Sequence, residues 1–101
     1  MDTLDSKPAY ELFTQGTGGM FLTADFGNEK RALPLLALQV MTSTSETEGD
    51  RLILEFTNEN LEITGHGLGE LFDHLTLGRV KTVRVGVSAK IRIEKISCLK
   101  G

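Results

Sequence analysis

Near residue 66 the hydrophobic pattern changes period, and that change limits what the chain can fold into. Upstream, Leu52, Leu54 and Phe56 alternate with Ile53, Glu55 and Thr57, and Leu61 and Ile63 alternate with Glu62 and Thr64. Side chains on a strand point to opposite faces in turn, so each set lines one face. Downstream, Leu68, Leu71, Phe72 and Leu75 recur at helical spacing, which predicts an amphipathic helix over about 68–77. Glu70 and Asp73 fall early, where the helix dipole favours negative charge. Gly78 stands where a left-handed stop is expected. A helix this short is unstable alone, so its stripe must pack on the face carrying Leu54, Phe56, Leu61 and Ile63.

The alternation also suggests a register for the hairpin. Placing Thr57 opposite Asn60 sets Phe56 against Leu61 and Leu54 against Ile63, whereas a one-residue slip would mix the faces. This register makes Glu55 and Glu62 direct neighbours, which is destabilising unless something basic lies beside them.

Before this stretch, residues 1–9 read as a flexible polar lead-in, and residues 10–101 as a single β-rich domain. Tyr10–Thr14 suggests a short strand, and Gly16 to Gly19 a turn. Met20, Leu22, Ala24 and Phe26 share one face of a second strand, with a hairpin back to the first. Residues 34–44 carry both signals. Pro34 suits a helix start, but the alternation of Leu36, Leu38 and Val40 and the run into Thr42-Ser43-Thr44 favour a bend and then a strand. The polar segment 45–50 turns that strand into a hairpin with Leu52–Phe56. After the helix, Val83, Val85 and Val87 share a face, as do Ile91 and Ile93. Matching these faces calls for an odd-numbered loop such as Ser88 to Lys90, and Lys95 breaks the alternation at a bulge or strand end. The expected fold is α+β: a small, mostly antiparallel sheet of about five to seven short strands with one helix on one face. The segment from Ile63 to Val80 is long enough for a right-handed crossover. The expected core is Leu54, Phe56, Leu61, Ile63, Leu71, Phe72, Leu75, Val83, Val85, Ile91 and Ile93.

With 101 residues the chain suits one domain that buries a real core without disulfides or metals. No apolar run approaches the roughly 20 residues of a membrane helix, the start is acidic rather than signal-like, and Cys98 stands alone. Together these point to the reducing cytoplasm and away from membranes. The net charge is −3 but unevenly spread. Residues 79–101 carry seven cations against Glu94 alone, a net +6 that leaves −9 on the first 78 residues.

No catalytic or cofactor signature stands out. Gly65-His66-Gly67-Leu68-Gly69 sits where anion-binding loops occur, yet its glycines miss the dinucleotide spacing and no Lys-Ser/Thr pair follows. A slender strand-to-helix turn explains it. His66, Glu70, Asp73 and His74 are of metal-ligand type, with His66, Glu70 and His74 as the candidate set, but lack a metal-binding spacing such as H-E-x-x-H. Solvation of the outer helix face explains them. Cys98 or a serine with His66 or His74 specifies no triad. Arg79, Lys81, Arg84, Lys90 and Arg92 offer an anion- or nucleic-acid-reading surface on a basic C-terminal hairpin (79–95). Neutralisation of Glu55 and Glu62 within the same sheet accounts for Arg84, Lys90 and Arg92 more simply.

The sequence therefore reads as a non-enzymatic domain acting through protein contacts, without cofactors. A nucleic-acid-binding module is the alternative, and a metal-dependent enzyme the third reading. Homodimerisation is expected, because an open sheet has exposed edges. The first strand and the strand from Ile91 to Ile96 are the candidate edges. Tyr10, Phe13 and Phe21 are candidate interface residues, since aromatics are enriched where proteins meet.

Overall fold

The computed structural model describes residues 8–14 and 19–100, with the side chain of Lys100 left out. Among the described residues, nine strands and one α-helix form two sheets that share one core. The chain opens in a four-stranded sheet with β1 (Tyr10–Leu12), β2 (Phe21–Asp25) and β3 (Lys30–Pro34). The 3-10 turn Leu35–Ala37 crosses to a five-stranded sheet holding β4 (Leu38–Glu46), β5 (Gly49–Phe56) and β6 (Glu59–His66). Helix α1 (Leu68–Thr76) returns the chain to the first sheet at β7 (Val80–Arg84). The backbone then steps back into the second sheet for β8 (Gly86–Ser88) and β9 (Ile91–Lys100). The strand orders are β1-β7-β2-β3 and β4-β5-β6-β9-β8. Only β2 and β7, among the described pairs, run parallel.

The fold is thus mostly β with one helix, as the pattern predicts, but nine strands in two sheets replace the five to seven of a single sheet. Periodicity marks strands and faces, and the assignment of a strand to a sheet depends on distant partners. The α1 connection joins the two sheets, so it is not a crossover within one. β1 pairs with β7 and does not form the expected hairpin with β2; the expected Gly16–Gly19 turn falls largely outside the described residues. Ala9, at the end of the polar lead-in, is buried, and its N–H donates to Ser88 Oγ at 2.7 Å.

The helix forms where its stripe predicts. Leu68, Leu71 and Leu75 are buried and α1 packs on β5, β9 and β4, while Phe72 lies only half-buried at the rim. At the C-terminus Gly78 takes φ 69°, Gly78 N–H donates to Leu75 O, and Arg79 N–H donates to His74 O. These two bonds are a Schellman stop. At the N-terminus no neighbouring side chain caps the helix, and Asp50 reaches from β5 to accept the Leu68 N–H at 3.0 Å. The two glycines before α1 have steric reasons. A Cβ at Gly65 would stand 1.9 Å from Arg92 O, and Gly67, at φ 70°, would meet Lys90 O at 2.3 Å. The glycine-rich turn is therefore a close approach to β9.

Two registers differ from expectation. In the β5–β6 hairpin Leu54 faces Leu61 and Leu52 faces Ile63 across a two-residue turn, Thr57-Asn58. The slip from the expected pairing is two residues, so faces are conserved and only partners change. Glu55 lies opposite Asn60, and Glu62 opposite Ile53. Direct carboxylate opposition is avoided, and Arg51 meets Glu62 at 3.3 Å. The second difference is at β8–β9, where a two-residue turn, Ala89-Lys90, sets Val87 against Arg92. The expected odd loop assumed that Val85 and Val87 share the face of Ile91 and Ile93, with Val85 in the core. Val85 and Val87 are 57% and 58% exposed, because Val85 lies between the sheets and β8 is turned outward. Ala9, Leu22, Ala24, Leu33, Leu52, Leu68, Val80 and Ile96 complete the core and were not in the expected set. Of the two alternatives expected at Lys95, a bulge or the strand's end, the structure has the bulge: Thr64 pairs with Lys95 and Gly65 with Ile93, leaving Glu94 unmatched, and β9 runs on to Lys100.

Candidate interaction surface

The residues singled out for chemistry do not assemble into a centre. His66 ends β6 and its Nε2 lies 3.3 Å from Glu94 Oε2. Glu70 is exposed on α1, and His74 stacks on Tyr10 with ring centroids 5.6 Å apart. Among the described residues, no three His, Cys, Asp or Glu side chains stand close enough to hold a metal ion. Cys98 lies half-buried on β9 opposite Leu61, far along β6 from His66. Its thiol donates to Glu59 Oε1 at 2.9 Å, and Arg31 reaches the same carboxylate oxygen from the other sheet. Burial, then the Glu59 contact, pushes the thiol pKa up to about 11. A group held protonated in this way is a structural donor, and a weak nucleophile at neutral pH.

The basic residues are also divided. Arg84 is almost buried and ion-paired with Asp25 (3.3 Å) and Glu11 (2.9 Å), and it donates to Pro8 O at 2.8 Å. It braces β1, β7 and β2, and does not neutralise Glu55 or Glu62 as expected. The Gly27 N–H bond first, and Arg84 against the opposing effect of burial, lower the Asp25 pKa. Arg79 and Lys81 lie exposed around the start of β7 in the same sheet, whereas Lys90 and Arg92 lie exposed on the side of the other sheet, with Arg92 4.0 Å from Glu94.

The candidate aromatics are likewise dispersed in role. Tyr10 is half-buried under His74, the Phe13 ring occupies the space above Gly19, and Phe21 is 47% exposed on β2.

What sequence reasoning missed is an edge. β1 is an edge strand, as expected, but β9 is interior, flanked by β6 and β8. The exposed edges differ in how they are protected. A bare edge offers unpaired N–H and C=O groups to another strand, and proteins blunt it with short length, charge, proline or bulges. β1 has three residues and a bulge, and β8 has three residues. β3 carries Lys30, Arg31 and Pro34 in five residues. Beyond β8, the open stretch of β9 begins with the Glu94 bulge and Lys95. β4 is longer than the other three edge strands and carries such devices only at its two ends. Its nine residues, LQVMTSTSE, include no proline and no charge before Glu46, and its one irregularity falls between Leu38 and Val40.

The register states which groups are open. A two-residue loop, Thr47-Glu48, makes Glu46–Gly49 a hydrogen-bonded pair, and such pairs alternate along an antiparallel ladder. Thr44–Arg51 and Thr42–Ile53 are then also bonded, so Met41, Ser43 and Ser45 turn their N–H and C=O groups away from β5. Among the described residues no element lies beyond β4 in its sheet. Ser43 and Ser45 are exposed and Met41 half-buried. Beside the first half of β4 is an open groove of ≈ 250 Å³, lined by Leu35, Leu38, Val40, Met41 and the end of α1 at Leu75. Leu36 and Leu77, sequence neighbours of lining residues, are 96% and 62% exposed.

No protein-family model, no curated protein and no solved structure matches this chain. No helix among the described residues is long and apolar enough to cross a membrane.

Proposed function

We propose that this chain is a non-enzymatic protein-interaction domain of the cytoplasm that engages its partner by strand addition at β4. The observation that carries the reading is the nine-residue β4 edge without charge or proline before Glu46. In strand addition the main-chain bonds supply affinity, and pockets for alternate side chains supply selectivity. The groove beside Leu38 and Met41 is suited to the second role. A single cysteine, Cys98, with no second one to pair with, agrees with a reducing compartment.

The test is selection of extended peptides from a displayed library against the dilute chain, followed by amide hydrogen exchange. Bound peptides are expected to slow exchange at Met41, Ser43 and Ser45. Ser43→Pro removes an outward N–H at a position where edge strands tolerate proline, and is expected to abolish binding. Binders unaffected by Ser43→Pro, or protection confined to other strands, would overturn the proposal.

A further inference from the structure

We infer that the strand received by β4 is β4 of a second copy, antiparallel, with the twofold axis passing through Ser43. This inference rests on the strand-addition reading and names its partner. The register follows from the outward groups. Hydrogen-bonded pairs across the axis must match one outward residue with another, and the outward residues are Met41, Ser43 and Ser45. An axis at Ser43 pairs Ser43 with its own copy, and Met41 with Ser45 of the second copy, so all three are used on each chain. An axis at Thr42 leaves Ser45 against Gln39 at the irregular start of the strand, and an axis at Thr44 leaves Met41 unpaired. An axis between residues would set outward groups against groups already bonded to β5.

The side chains fit the same register. Thr42 falls opposite Thr44 of the second copy on the outer face, a favourable cross-strand pairing of hydroxyls. Glu46, the one charge on β4, falls opposite Val40 and well away from its own copy. A parallel pairing in register would set the two Glu46 carboxylates side by side, a destabilising contact. No like charges face each other across β4 in the antiparallel arrangement. The two five-stranded sheets then join into one continuous sheet with the β4 edges removed. An isologous contact of this kind closes on itself and stops at the dimer.

The full chain tests this. Light scattering across a micromolar concentration series is expected to show twice the 11.1 kDa chain mass. In a Cys98→Ser background, Ser43→Cys is expected to oxidise to a disulfide-linked dimer. Opposed residues of a bonded antiparallel pair stand about 5.5 Å apart at Cα, within the roughly 4.4–6.8 Å a disulfide spans. Ser45→Cys in the same background is expected not to link, because its copy lies about 13 Å away along the strands. Ser43→Lys brings two ammonium groups together at the axis and is expected to weaken dimerisation at least tenfold. Circular dichroism should show it still folded, since Ser43 is exposed in the single chain. A monomer throughout the series, with peptide selection still landing on β4, would overturn the self-pairing and leave strand addition standing. A dimer that Ser43→Lys leaves intact, or that Ser45→Cys links faster than Ser43→Cys, would overturn the register and the use of this edge.

Discussion

In the four-stranded sheet, short strands are braced by charge: Arg84 on β7 reaches Asp25 on β2 and Glu11 on β1. In the five-stranded sheet, longer strands are held by an apolar face under α1, and the Arg51–Glu62 pair joins an exposed side chain to a half-buried one. The edges differ in the same way. β3 ends the first sheet with Lys30, Arg31 and Pro34, while β4 ends the second with threonine and serine, although only a 3-10 turn separates the two strands in sequence. Protection of an edge is thus a local property of side chains. One domain can keep one sheet closed to other chains and leave the other open.

The largest effect that tests this contrast is in the second sheet. Leu71→Ala removes a fully buried side chain between helix and sheet and should cost about 2–5 kcal/mol in denaturant unfolding. Phe72→Ala should cost clearly less, because Phe72 is half-buried. A loss below about 1 kcal/mol at Leu71 would show that the apolar stripe of α1 is not what holds this sheet.

In the first sheet, Arg84→Met keeps the aliphatic stem and removes the charge. It should cost about 1.5–3 kcal/mol, since a largely buried carboxylate loses a charged donor. The pH dependence has a definite sign. Asp25 titrates lower in the folded chain than its ordinary 3.8, so its stabilising contribution is complete above that value and is lost as pH falls through the folded pKa. Arg84→Met should narrow this acid-dependent loss. An unchanged acid limb would remove Arg84 from the explanation and leave the Gly27 N–H bond alone.

Between the sheets, Arg31 on β3 and Cys98 on β9 meet at Glu59. The thiol pKa is raised from 9.0 to about 11 in the folded chain. The stabilisation tied to its neutral form is therefore complete below 9 and is lost as pH rises towards 11. Thiolate absorbance should show a midpoint near 11 in the folded chain and near 9 in denaturant. Matching midpoints would show that this tie between the sheets is not formed. The smallest effect is at the β8–β9 turn. Ala89 holds φ 51°, a left-handed conformation that costs a residue with a Cβ. Ala89→Gly should raise stability by about 0.5–1 kcal/mol, measured as a higher denaturant midpoint.

The sequence alone determined the elements that arise from near neighbours. The stripe from Leu68 to Leu75, the Gly78 stop, the turn after Pro34, the β4–β5 hairpin and the bulge near Lys95 all follow from spacing, because helix sides, strand faces and caps are set within a few residues. Tertiary structure decided everything that depends on a distant partner. Val85 and Val87 carry the same alternation as Val83, yet the chain leaves one sheet at Val85, and only packing could turn them outward. Arg84 looks like one more cation of a basic hairpin until β1 and β2 bring Glu11 and Asp25 around it. The bare edge of β4 was not legible either. Residues 38–46 contain ordinary strand-forming side chains, and what distinguishes them is that, among the described residues, no strand lies on their far side. That vacancy is a property of sheet order, which is set by which strands bury the most apolar surface together, and no local pattern encodes it.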